Sequence, residues 1–134
     1  MAFAELNSQE IIELSEIVDK LNVLARLCRK ESSRWYHEPL TGAPIKRDDG
    51  QLFMLMVTEL AEAYEGLRRG LMDDKLPHRL MVEVELADAI IRIMDYAGEH
   101  NLDIGGALYE KMRFNASRKD HSKEARLAPG GKKF

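Results

Sequence analysis

The chain is poor in the residues that make several function classes easy to recognise. Cys28 is the only cysteine among 134 residues, which excludes an intramolecular disulfide and a cysteine-rich zinc site. A buried thiol in a reducing compartment, and hence a cytoplasmic location, is the expectation. No apolar run approaches the roughly 18 residues of a membrane span, and the opening MAFAELNSQEII lacks the basic-then-apolar order of a secretory signal. Positive charge is not in excess: the net charge is −3 and the isoelectric point about 5.8, against a dedicated nucleic-acid binder. Strand-like alternation of useful length and internal repeats are also missing.

What is present points to one soluble helical domain. The chain is 45% hydrophobic and 32% charged, with seven methionines and only 7% aromatics, long enough for one core and short for two. Apolar residues at Ile11, Leu14, Val18, Leu21, Ala25 and Cys28 predict a first helix, capped by Asn7 or Ser8 and ending near Tyr36. His37 to Gly50 holds two prolines and two glycines and reads as a long loop, a lid or a plain connector. A second helix is predicted from about Gln51 to Arg69, capped by Asp48 or Asp49 and stopped by Gly70, with Phe53, Met56, Leu60, Tyr64 and Leu67 as its buried stripe. A third is predicted from a cap at Asp74, with Pro77 in its first turn, to about Gly98. It carries two stripes, Leu80, Val84, Ala87, Ile91 and Met94, and Val82, Leu86, Ala89, Ile93 and Ala97. Two apolar faces on one helix of a small domain suggest an oligomer, with a central helix buried on both sides in a monomer as the alternative. A fourth helix is expected from about Asp103 to Lys119. The fold class is all-α, a four-helix bundle in one domain spanning 1–134, with its core at about 7–119 and a basic, flexible tail at 120–134.

Acids gather on the second and third predicted helices. Glu59 and Glu62 lie one turn apart, as do Glu85 and Asp88, and both pairs border apolar positions. If the two helices pack antiparallel, four carboxylates converge, and such a cluster calls for a hard divalent cation, Mg²⁺ or Mn²⁺ in its place. A solvated acidic face, with Asp88 paired to Arg92 at i+4, is the competing reading. A di-iron site would need Glu-x-x-His on bundle helices, and none of the four histidines has a glutamate three residues before it.

The motifs Glu59-Leu-Ala-Glu62 and Glu85-Leu-Ala-Asp88, separated as a helical hairpin requires, resemble those of the MazG-like all-α nucleoside triphosphate pyrophosphohydrolases, over about Gln51 to Lys119. The downstream Lys111, Asn115 and Arg118 match the family's helix of basic and amide residues. The resemblance implies a Mg²⁺-dependent enzyme that cleaves a canonical or modified (d)NTP to (d)NMP and pyrophosphate. Glu59, Glu62, Glu85 and Asp88 would then hold the metal, with Glu62, beside Glu59, helping water attack the α-phosphorus. Lys111, Asn115 and Arg118 would bind phosphates. The branch acting on phosphoribosyl-ATP usually follows its acidic motif with a Leu-Leu-Tyr-His type run, where this chain has DAIIRIMDYAG, so that substrate is the lesser expectation.

Trp35, Tyr36 and His37 sit at the mouth of the loop and are candidates for stacking on a base, Trp35 and His37 foremost. Packing of Trp35, one heptad after Cys28, competes with that role. The expected partners are the nucleotide and further copies of the chain, as a homodimer or homotetramer, with no membrane and no dedicated nucleic-acid binding. A non-catalytic helical adaptor that oligomerises through the third helix is the alternative from another class.

Overall fold

The computed structural model of the chain describes residues 6–132. Among them the architecture is all-α, as expected: α1 (Ser8–Glu16), α2 (Val18–Glu31), a 3₁₀ turn (Ser32–Tyr36), α3 (Asp49–Arg69), α4 (Met81–Glu99), α5 (Ile104–Ala116), a second 3₁₀ turn (Lys119–His121) and α6 (Lys123–Leu127). No strand forms among the described residues; pairing is limited to isolated bridges, His37 with Pro44 and Met72 with Leu80. No described helix is long and apolar enough to cross a membrane. Two compact units make up the structure, Val23–Leu102 and the residues on either side of it.

The larger unit is organised by α3 and α4, which run antiparallel. Gly66 near the end of α3 faces Met81 at the start of α4, while Phe53 meets Tyr96 at the opposite ends with ring centroids 4.8 Å apart. Asp48 starts α3 by accepting from the Gln51 amide at 2.8 Å, an interaction that stabilises a helix by about 1 kcal/mol. Gly70, with φ 62, stops it in the left-handed conformation that glycine adopts without a Cβ clash. Both ends are as the sequence predicts.

The start of α4 is not. Asp74 does not cap a helix through Pro77; instead Asp73, buried, accepts from the amides of Lys75 and Leu76 at 3.0 and 2.6 Å. That closes a turn, and α4 begins at Met81, after Leu80, whose amide donates to the Glu83 carboxylate at 3.1 Å. A side chain that binds its own backbone two and three residues on competes with helix formation, and here it delays the helix past the proline.

The buried faces differ too. Of the stripe predicted on α3, Phe53, Leu60, Tyr64 and Leu67 are exposed and Met56 is half-buried, whereas Leu52, Glu59, Ala63 and Gly66 are buried. On α4 the buried residues are Glu85, Ala89, Met94, Asp95 and Ala97, so neither predicted stripe is buried as a set. Small side chains let the helix axes approach: a Cβ on Gly66 would stand 2.8 Å from the Met81 side chain, and one on Gly98 2.5 Å from the Ala25 carbonyl oxygen of α2. Close approach selects the small face over the greasy one.

The predicted first helix is divided. Asn7 and Glu10 form a reciprocal capping box at the start of α1, but the chain breaks at Ile17 and tightens into the 3₁₀ turn after Glu31. The 37–50 segment is ordered by Glu38, whose carboxylate accepts from the Leu40 and Thr41 amides at 3.0 and 2.6 Å. In the smaller unit, Asp103 caps α5 through the Gly106 amide at 2.9 Å, and Asn22 bridges Asp103 and the Gly105 amide at 2.7 and 2.9 Å. The fourth predicted helix stops three residues early, at Ala116, and the expected tail contains α6, capped by Ser122.

Candidate functional site

Four of the residues singled out by spacing lie on the antiparallel pair, and three of them converge. One carboxylate oxygen each from Glu59, Glu85 and Asp88 lies within 4.8 Å of the others, with both glutamates buried and Asp88 partly so. The i, i+3 spacing on α4 sets Glu85 and Asp88 on adjacent turns, and α3 brings Glu59 across to them. Glu62 stays outside this group and is exposed, although its charge reaches Glu85.

Such proximity is unfavourable without cations. Burial, followed by a hydrogen bond with Glu59 and the charges of Glu62, Glu59 and Asp88, pushes the Glu85 carboxyl up to about 7. Burial and the Glu59 charge also raise Asp88, against the opposing pull of Arg92 and Lys75. Arg92 does not pair with Asp88 at i+4 as its spacing allowed; it donates from Nε to Glu59 across the helix interface. Arg92 thus bonds Glu59 and acts on Asp88 through space, together with Lys75.

The donor set fits a hard divalent ion. All three groups offer oxygen and none offers nitrogen or sulfur, as Mg²⁺ and Mn²⁺ prefer. Burial first and the crowding of like charges second are what raise Glu85 here. The identity of the ion rests on this chemistry alone.

Beside the cluster a cavity of about 340 Å³ extends from Asp88 and Arg92 to Trp35, with Leu52, Ile91 and Asp95 among its walls. Trp35 is 64% exposed, so it does not pack into the core; its neighbour Tyr36, 5% exposed, does. Arg29 lies over the Tyr36 ring at 3.7 Å, and the phenol donates to Asp95 Oδ2 at 3.0 Å. Burial first, then Asp95, pushes that phenol up to about 12. His37 is exposed, with Nδ1 2.8 Å from the Ser33 carbonyl, and does not line the cavity.

The three proposed phosphate ligands belong to the smaller unit and do not share one helix. Lys111 and Asn115 are on α5, with Lys111 Nζ 5.0 Å from the Phe114 ring centre and Asn115 Oδ1 buried without a hydrogen-bond partner among the described residues. Arg118 lies past the helix end and is held by Asp120 in a forked pair at 2.9 and 2.6 Å. That pairing draws on the charge the sequence reading reserved for phosphate.

Sequence reasoning missed Asp95, and it gave Tyr36 a stacking role that the burial of its ring beneath Arg29 rules out. Asp95 stands seven residues after Asp88 on α4, and a lone acid within the apolar run IIRIMDYA was the available signal. No family model, curated protein or solved structure matches this chain.

Proposed function

We propose that the chain is a Mg²⁺-dependent nucleotide pyrophosphohydrolase that converts a (d)NTP into (d)NMP and pyrophosphate. The observation that carries the reading is the convergence of Glu59, Glu85 and Asp88 within 4.8 Å, with Asp88 of that group lining a cavity that an exposed tryptophan also lines. Mg²⁺, when bound, supplies positive charge for the triphosphate and makes a neighbouring water more acidic.

The residues then divide the work. Glu59, Glu85 and Asp88 would hold the ion, and Arg92 keeps Glu59 oriented toward the cluster. Glu62, exposed one turn from Glu59, accepts the proton of the attacking water. The new bond joins the water oxygen to the α-phosphorus, the α–β bridging bond breaks, and pyrophosphate leaves with its electron pair. Trp35 offers a face to the base. Lys111, Asn115 and Arg118 enter as phosphate contacts only as part of this proposal. The reading also includes assembly into a homodimer or homotetramer in the cytoplasm.

The test is pyrophosphate release from the common NTPs and dNTPs with Mg²⁺, beside Glu59→Gln, Glu85→Gln and Glu62→Gln. Each variant should lose about a hundredfold or more in turnover. A silent panel with folded protein, or wild-type rates in all three variants, rejects the proposal. One observation favours an adaptor, through α3 rather than the third predicted helix: Phe53, Val57, Leu60, Tyr64 and Leu67 form an exposed apolar face on α3. An adaptor would bind through that face and show no metal-dependent turnover.

A further inference from the structure

The base, in the pyrophosphohydrolase reading on which this inference rests, falls in the cavity beside the carboxylates, and one residue that lines this cavity has an unpaired oxygen. Asp95 lines it and is 8% exposed. Its Oδ2 accepts from Tyr36 at 3.0 Å, while Oδ1 is buried and has no hydrogen-bond partner among the described residues. A buried carboxylate oxygen without a donor is unfavourable and calls for an explanation.

A carboxylate only accepts hydrogen bonds, so the missing partner is an N–H or O–H donor. On a base held against Trp35, an exocyclic amine supplies it. Uracil and thymine place carbonyl oxygens at that position, and an oxygen lone pair would then meet an oxygen lone pair.

Arg47 supplies the complementary chemistry at the same cavity. It donates to the Trp35 carbonyl at 3.2 Å and to Gln51 Oε1 at 3.1 Å, which leaves some of the five guanidinium N–H groups for a ring nitrogen or carbonyl. Acceptor, donor and stacking face together match an amino-bearing heterocycle. We propose that this cavity selects nucleotides whose base carries an exocyclic amine, with Asp95 as the specificity-determining acceptor and Trp35 as the stacking surface.

Trp35 is the only tryptophan in the chain, so its emission reports on occupancy directly. The full chain, in EDTA, is titrated with CMP against UMP and with AMP against IMP, two pairs that differ by an amine and an oxo group. The amino member of at least one pair should quench Trp35 and bind about tenfold more tightly than its oxo counterpart. Asp95→Asn, whose amide can turn either a carbonyl or an amine toward the base, should reduce that ratio to near one, with melting checked alongside. No quenching by any of the four, equal affinity within both pairs, tighter binding of the oxo members, or an unchanged ratio in the variant would overturn the proposal. The wild-type titrations decide it even where the variant fails to fold. Glu59-dependent pyrophosphate release with no base preference would sink the amine selection and leave the hydrolase reading standing; amine-selective quenching without release would do the reverse.

Discussion

Adding Mg²⁺ to metal-free protein at pH 8 should raise its melting temperature, and lowering the pH to 5 should do the same without metal. Both follow from Glu85, whose carboxyl moves from an ordinary 4.5 to about 7 in the folded chain. The folded state therefore binds the proton more tightly than the unfolded state does. Its stability is fully present below about 4.5 and is lost as pH rises through about 7. The difference between the two plateaus is about 3 kcal/mol, or roughly 10 °C in melting temperature for a chain of this size. Asp88, raised by the same surroundings, adds in the same direction. A divalent ion relieves the same repulsion, and binding at a hundredfold excess over Kd stabilises by about 3 kcal/mol.

The assay is thermal unfolding followed by circular dichroism at pH 5 and pH 8, in EDTA and in Mg²⁺, for the wild type and Glu85→Gln. Glutamine keeps the shape and removes the charge, so the variant should retain only the smaller pH response that Asp88 contributes and gain little from Mg²⁺. Equal melting of the wild type at the two pH values in EDTA would refute the account of the cluster. So would a Mg²⁺ response that Glu85→Gln retains in full.

Three further perturbations probe the surroundings of the site. Gly98→Ala places a methyl against the Ala25 carbonyl and should destabilise by about 1–3 kcal/mol, read as a lower midpoint in urea with an unchanged slope; a neutral effect would mean that α2 and α4 do not approach so closely. Tyr36→Phe removes the donor to Asp95 Oδ2 and should destabilise by about 1–3 kcal/mol, measured in the same way. Arg92→Gln leaves Glu59 without its guanidinium and should lower stability in EDTA by about 2 kcal/mol, with Mg²⁺ restoring more of it than in the wild type; an equal loss with and without Mg²⁺ would separate Arg92 from the metal cluster.

Local signals were the legible ones. Asn7, Asp48, Asp103 and Gly70 marked helix ends because a cap depends on a few neighbouring atoms, all of them in sequence order. Glu59, Glu85 and Asp88 were found because helical spacing alone brings residues three apart together, and only the antiparallel pairing had to be supplied. Asp73 was missed in favour of its neighbour Asp74, since either could close a turn and only the backbone path decides. Tyr36, Arg47 and Asp95 meet through the fold over separations of up to 59 residues, and no local pattern announces such a meeting.

The misread stripes have the same physical root as the site. Positions 53, 60, 64 and 67 and positions 52, 59, 63 and 66 are neighbouring faces of one helix, offset by about 100°. Hydrophobicity favours the first, but a hairpin that must bring carboxylates from both helices into one spot needs its axes close, and closeness requires Ala63, Gly66 and Ala89 at the contact. Burying small and acidic residues yields little hydrophobic stabilisation per residue compared with a full Leu or Phe. The bulky face of α3 is consequently left outward, where it offers apolar area that the fold of one chain does not use. An acidic site between closely packed helices and an uncovered greasy face are thus two results of one choice of which side of α3 turns inward.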